Sequence, residues 1–391
     1  MLYAYEVQST KNQEHRAMSR ETLRIAKFGF RSIPPRDGSA GADTCATELA
    51  TRLARRGHSI VCYNRLYGDE KILYQSYEGI RLIYLKTVRK AGFDTILHSA
   101  KAAFHIIVHN TADIVHISNG GNSIWGLFLR LWGKKVIVTQ DGLDWERKKW
   151  AWYGKFFLYL SAYLTSVIPH TVVFDNPFAK ELFEKMFRKK FEMIPSGVDI
   201  SKFRDDPAVL EKYGLQSGEY FLFVGRFIPD KGLHYLIPAF ERLQTTKKLV
   251  LIGGSPNPSE YENGIKATQD PRIIMPGFLY GNDVLNLMKH AYLYIQPSDV
   301  EGLSPVILTV MAIGTPVLCS DIQENLYVVQ DTARTFKKGD IDDILREMEF
   351  ALQNKVLLDE LSQKAKISVV KEYSWDEVTD RYVELYRRIQ K

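Results

Sequence analysis

The sequence predicts an α/β protein made of two Rossmann-like domains, each a doubly wound parallel sheet, facing each other across a cleft. Three observations carry that prediction. At 391 residues the chain is longer than a single core of roughly 150 residues supports. Short β-branched and apolar runs alternate with helix-length segments, as in a parallel sheet with helical crossovers. The alternation breaks at IPSGVDISKF, residues 194–203, where Pro, Ser and Gly cluster, and then restarts. A hydrophobic share of 45% with 25% charged residues excludes the disordered and collagen-like classes.

The elements follow in order. Residues 1–22 read as a disordered extension, and they lack the apolar stretch of a secretory leader. LRIAKFGF is a strand, RSIPPRDGSAG a loop, ADTCATELATRLARR a helix and GHSIVCYN the next strand, a βαβ unit. Its helix carries Cys45, Leu49 and Leu53 at four-residue spacing beside Ala46 and Ala50, and Gly57 suits the position after its end. Strand-like runs follow at 80–85, 113–118, 135–140, 171–174 and 191–194. After the break they recur at 220–226, 248–254, 272–278, 291–298 and 315–321. The tail SWDEVTDRYVELYRRIQK is amphipathic, with Val378, Tyr382, Leu385 and Ile389 on one face. The expected domains are 23–195 and 196–372, with a last helix in 373–391 returning to the first domain.

Charge and cysteine usage narrow the function classes. Residues 1–200 carry 29 Lys and Arg against 19 Asp and Glu, whereas residues 201–391 carry 23 against 27. A basic half is drawn to nucleic acid, anionic lipid or phosphorylated ligands, but no nucleic-acid motif is present. Cys45, Cys62 and Cys319 show no C-x-x-C spacing, which predicts reduced thiols in a cytosolic protein and no structural metal site. The longest uncharged apolar run, 156–169, is shorter than the ~18 residues of a membrane span. DWERKKWAWYGKFFLYLSAYL and FEKMFRKKF interleave aromatic and basic residues. They suit either a helix lying on anionic lipid or a helix packing its rings inward. The expected location is cytoplasmic, with attachment to the inner face of the cell membrane if the first of these alternatives holds.

In doubly wound sheets, ligands bind beyond the carboxyl ends of the strands. VGRFIPDKG places Gly225 and Arg226 at such an end and Lys231 at the next helical pattern, two cations suited to a diphosphate. In SDVEGLSPVILTVMAIGTPVLCSD, Gly302, Leu303 and Ser304 precede an apolar helix, so their amides suit an anion, and Glu301 is free to accept hydroxyl groups. Phe278 and Asn119 end strand runs and join the candidate binding set. His116 reads as a satisfied core histidine. Asp340 and Asp342 spell D-x-D, read as a helix N-cap with an acidic first turn rather than a metal pair. A nicotinamide-dependent dehydrogenase is disfavoured, because no G-x-G-x-x-G opens either domain with an acid about 20 residues on.

Together, VGRFIPDKG, EGLSP…MAIGTPVLCSD and GSAGADTCATELATRLARRGH resemble the family-4 retaining glycosyltransferases of the GT-B fold. TQDGLDWERKKW and the IPPRDGSAGADTCATELATRLARRGH stretch resemble, more narrowly, bacterial rhamnosyltransferase-type members. The resemblance implies a nucleotide-sugar donor between the domains, with Arg226 and Lys231 neutralising its diphosphate in place of a metal. It implies that the amides of Gly302, Leu303 and Ser304 face sugar and phosphate, and that Glu301 holds sugar hydroxyls. The loop with Gly38 and Gly41 would approach the phosphates and the acceptor. Asp141, within Thr139-Gln140-Asp141, stands where many members carry a histidine and is expected near the reacting carbon, with Asp144 beside it. The second glutamate of the family's E-x7-E pair, which binds the ribose, is Thr309 here. The implied function is transfer of a hexose, with retention, to a lipid-linked or oligosaccharide acceptor, without metal or cofactor. The alternative is a weakened sugar-nucleotide-binding subunit that needs a partner.

Overall fold

A computed structural model describes residues 22–36, 41–68, 70–71, 74–89, 93–140, 152–201, 203–255 and 259–391. The first half forms an eight-stranded sheet from β1 (Arg24–Phe28), β2 (Ser59–Tyr67), β3 (Ser76–Tyr77), β4 (Ile80–Thr87), β5 (Ile114–Ser118), β6 (Lys135–Gln140), β7 (Thr171–Phe174) and β8 (Glu192–Met193). Its order is β3-β4-β2-β1-β5-β6-β7-β8, parallel except where β3 pairs with β4. Its helices are α1 (Gly41–Arg55), α2 (Phe93–His109), α3 (Ile124–Leu131), α4 (Trp152–Val167) and α5 (Pro177–Phe187).

The second half forms a parallel six-stranded sheet from β9 (Tyr220–Arg226), β10 (Lys248–Gly254), β11 (Ile273–Gly277), β12 (Leu293–Gln296), β13 (Val317–Ser320) and β14 (Arg334–Phe336). Its order is β11-β10-β9-β12-β13-β14. Its helices are α6 (Leu233–Arg242), α7 (Glu260–Lys266), α8 (Gly281–Lys289), α9 (Pro305–Ile313), α10 (Gln323–Val329), α11 (Ile341–Gln353) and α12 (Lys355–Glu372), and α13 (Trp375–Gln390) ends the chain. The winding direction reverses between β1 and β5 and again between β9 and β12. These switch points open the crevices in which such sheets hold ligands.

Hydrophobic periodicity explains the layers. Ile25 on β1 faces Leu49 and Leu53 of α1, and the same core takes in Trp375, Val378, Tyr382 and Tyr386 of α13. The C-terminal helix therefore covers the first sheet, and each large side chain it buries contributes about 1.5–3 kcal/mol. On the opposite face, Ala102, Ala103 and Ile106 of α2 and Leu129 of α3 pack on Ala26, Phe28, Val115 and Val138. Ala162 of α4 and Phe183 of α5 join Phe174 and Phe191 there. β3 and β14 are absent from the sequence reading. With two and three residues and no apolar run, they are strands by virtue of edge pairing alone.

His116 lies buried between the first sheet and α13. One ring nitrogen is 2.7 Å from the Tyr386 hydroxyl and the other 2.5 Å from Thr139 Oγ1. Burial, and then the charge of Lys27, hold its pKa well below the usual histidine range. It is a satisfied core residue. The chain crosses between the halves near 198 and again near 373, side by side: the Val198 N–H donates to the Tyr373 carbonyl at 2.7 Å. Arg52 of α1 pairs with Asp199 and lies 5.7 Å over the Trp375 ring, which ties the crossing to the first domain.

Candidate functional site

The second switch point gathers the polar side chains. β9 ends at Arg226, which is exposed at its carboxyl edge. The chain then turns through the short 3-10 segment Pro229–Lys231 to Gly232, which starts α6. Gly232 has φ +70°, and a Cβ there would lie 1.8 Å from the Pro297 carbonyl oxygen. Only glycine lets this turn press against the end of β12. A second tie runs from the Asp299 N–H to the Asp230 carbonyl at 2.9 Å.

That close approach delivers Lys231 to Glu301. The two form an ion pair with side-chain exposures of 17% and 8%. The same carboxylate oxygen also accepts from Gln296 Nε2 at 2.5 Å and Ser298 Oγ at 2.6 Å. Gln296 is held in turn by Tyr294, whose hydroxyl donates to its carbonyl oxygen. The sequence reading left Glu301 free to accept hydroxyls; the structure commits one of its oxygens to three protein donors. The other oxygen has no hydrogen bond among the described residues. Gln296, Ser298 and Asp299 were missed by the sequence reading, although the run QPSD at the end of a strand was a signal for them. Asp299 accepts from the Tyr235 hydroxyl at 3.2 Å, while its other oxygen is buried without a partner.

The same edge carries the residues that the sequence suggests for an anion. Leu303 is buried, and Ser304 caps α9 by accepting from the Ile307 N–H at 3.4 Å, with Pro305 in the first turn. Gly302 has open space where a Cβ would stand. Gly41, the first residue of α1, lies against Pro305: a Cβ on it would be 3.3 Å from Pro305 Cγ. Two helices from different domains thus bring their N-termini together, each with the positive end of its dipole toward the same crevice.

Gly225 pairs with Gly253 in the β9–β10 register, next to Arg226. Phe278 follows β11, stacks nearly parallel to Tyr280 at 6.3 Å and lies over Gly254. Thr309 is partly buried on α9, with its hydroxyl donated to the Pro305 carbonyl at 2.8 Å. Asn119 stands at the first switch point with φ +73°. Its N–H donates to Thr139 O and its side chain accepts from the Gly121 N–H, both at 2.9 Å. Gly38, Asp141 and Asp144 lie outside the described residues.

Of the D-x-D pair, Asp340 caps α11 through the Asp343 N–H and Asp342 pairs with Arg242 at 2.7 Å. Among the described residues no three His, Cys, Asp or Glu are grouped to hold a metal ion. No described helix is long and apolar enough to cross a membrane.

Comparison with known proteins gives two family-model matches that together take in most of the chain: Glycosyltransferase Family 4 over residues 39–202 and Glycosyl transferases group 1 over residues 206–368. The chain is 23% identical over 330 residues to a UDP-Gal:alpha-D-GlcNAc-diphosphoundecaprenol alpha-1,3-galactosyltransferase of Escherichia coli, covering 79% of this chain and 84% of that protein. In fold it is similar to sucrose-phosphate synthase from Thermosynechococcus elongatus, with a TM-score of 0.82 at 17% identity over 93% and 98% of the two chains. It is also similar to Anabaena HepE solved with UDP and glucose, with a TM-score of 0.78 at 14% identity over 94% and 100% of the two chains.

Proposed function

The chain belongs to the family-4 glycosyltransferases of the GT-B fold, and from that premise we propose that it moves a hexose from a nucleoside diphosphate sugar to a lipid-linked or oligosaccharide acceptor. The transfer retains configuration at the anomeric carbon and serves cell-surface glycan synthesis from the cytoplasmic side of the membrane. One observation carries the reading: Lys231, in the turn that follows Arg226 at the end of β9, is fixed on Glu301, which shortly precedes α9, and the N-terminus of α9 meets that of α1. That arrangement suits a diphosphate gaining charge as it leaves.

The reaction balances without a protein base. The bond between the anomeric carbon and the diphosphate oxygen breaks, and the acceptor oxygen bonds to that carbon on the same face. The acceptor's proton passes to the departing phosphate oxygen. The protein positions both partners and stabilises the developing charge. Arg226, Lys231 and the amides of Gly302, Leu303 and Ser304 supply that stabilisation, so the reading calls for no divalent ion. The remaining oxygen of Glu301 takes sugar hydroxyls, and Phe278, over Gly254, borders the donor site. The rhamnosyltransferase-type likeness of TQDGLDWERKKW supports an acceptor-orienting or charge-stabilising role for Asp141, with Asp144 in the same motif.

Thr309 favours a second reading. Its hydroxyl is spent on the Pro305 carbonyl where the family places a ribose-binding glutamate, which fits a weakened sugar-nucleotide-binding subunit. Metal-free calorimetric titration with a panel of nucleoside diphosphates and their sugars, beside Arg226→Ala, tests the donor site. Binding of one base that is lost in the variant supports the proposal; no binding by any base refutes it. Binding without turnover on lipid-linked acceptors selects the second reading.

A further inference from the structure

The outer layer of the first domain exposes apolar side chains where a soluble face carries polar ones. On α3 and the residue after it, Ile124, Leu127, Phe128, Leu131 and Trp132 all point to solvent, and Leu131 and Trp132 are 71% and 60% exposed. Their spacing of three and four residues is that of a helix stripe, yet this stripe faces away from the core that Leu129 joins. Alongside it, Phe104 and Val108 of α2 are 69% and 56% exposed, and Tyr159, Leu160 and Tyr163 continue the surface on α4. The three helices pack side by side, so the patch is contiguous, well beyond the scattered apolar residues of an ordinary surface.

Its charge pattern identifies what covers it. α2, α3 and α4 contain a single acid, Asp94, which turns inward to Arg65 at 2.7 Å and the Tyr67 hydroxyl at 2.8 Å. Cations edge the patch. Lys101 and Arg130 are exposed on α2 and α3. Phe187 at the end of α5 packs on Tyr159 and Tyr163, which brings the exposed run Arg188, Lys189 and Lys190 to the opposite side. The acids of α5 are neutralised locally, Glu181 by Lys185, and Glu184 by Lys180 and, at 3.5 Å, by Lys190.

An apolar, aromatic-bearing surface with cations at its edge and no outward acid on α2, α3 or α4 matches the headgroup boundary of an anionic bilayer. We propose that α2, α3 and α4 form a monotopic docking face, seated on anionic lipid through Leu131, Trp132 and Phe104 and steered by Lys101 and Arg188–Lys190. The face is wider than the segments singled out in the sequence. Of DWERKKWAWYGKFFLYLSAYL, residues 144–151 lie outside the described set, while α2 and α3 were not among the candidates. Both α2 and α3 begin at the carboxyl edge of the first sheet, so docking sets the mouth of the first crevice at the membrane. The inference does not depend on the donor reading.

The test is sedimentation of the full chain with vesicles of phosphatidylethanolamine and phosphatidylglycerol, against phosphatidylcholine alone, at low and high salt. The expected result is binding to the anionic vesicles that weakens with salt. Leu131→Glu with Trp132→Glu should weaken it more than tenfold, and each removal of a cation among Lys101, Arg188 and Lys190 about fivefold. Val356→Glu with Ile367→Glu, at exposed apolar positions of α12, should leave it unchanged. Nucleoside diphosphate binding, measured in parallel, should be the same in all of these variants, which separates this proposal from the donor site. Absence of vesicle binding at low salt overturns it, as does binding indifferent to the Leu131/Trp132 change. A stable dimer that the same change splits would make the face a subunit interface and equally overturn it.

Discussion

Replacing Lys231 by alanine separates two roles that the geometry gives this side chain. Lys231 holds the Glu301 carboxylate, which is 8% exposed, and under the proposed function it stands where the leaving diphosphate gathers charge. Removing one preorganised donor from developing charge costs about 2.7–4 kcal/mol, a loss of 10²–10³ in kcat. The same change strips a nearly buried carboxylate of its cation, for which the upper limit is about 3–5 kcal/mol of stability. Ser298 and Gln296 still donate to that oxygen, which brings the expected loss to about 1–3 kcal/mol. Adding Glu301→Gln removes the orphaned charge, so the double variant should regain most of the stability and none of the rate. Thermal unfolding and single-turnover transfer, run on wild type, both single variants and the double, complete the cycle. If the double variant turned over within tenfold of wild type, Lys231 would act only by placing Glu301, and the leaving-group argument would be wrong.

Three further outcomes are expected. Burial lowers the Lys27 pKa from 10.5 to about 8, against smaller opposing effects of Cys62 and Cys45. The charged form is therefore penalised in the folded state below pH 8, and stability should rise between about pH 8 and 10.5 by about 3 kcal/mol. Lys27→Met should stabilise the protein at pH 7 and flatten that rise in urea unfolding; an unchanged slope refutes the assignment. Gly232→Ala forces a Cβ to 1.8 Å from Pro297 O at φ +70°, so it should lose at least about 2 kcal/mol in denaturant unfolding, together with nucleoside diphosphate binding. A loss below about 0.5 kcal/mol would show that the turn can move. Thr309→Glu should tighten nucleoside diphosphate binding about tenfold in calorimetry by supplying a charged acceptor; equal affinity would place the ribose elsewhere.

Periodicity made the two sheets and their crossover helices legible, because a strand or helix that buries one face must repeat its apolar residues at the period of its backbone. It also marked the apolar stripe of α13 through Val378, Tyr382 and Leu385. Elements whose existence rests on pairing were not legible: β3 and β14 bury no stripe of their own. In the candidate site, Arg226, Lys231 and Glu301 stood out as residue types in loops after strands, but their mutual arrangement did not. The Lys231–Glu301 pair joins residues seventy positions apart, and it exists because Gly232 lets one turn press on the end of β12. The commitment of the Thr309 hydroxyl to the helix backbone was equally invisible, since a threonine in sequence looks free to bind. The outward stripe of α3 shows the same limit from the other side. The sequence by itself determined that Ile124, Leu127, Phe128, Leu131 and Trp132 share a helix face, because that follows from 3.6 residues per turn. Only the tertiary structure decided which way the face turns, because Gly126 and Leu129 pack on the sheet and leave the larger side chains no interior to enter.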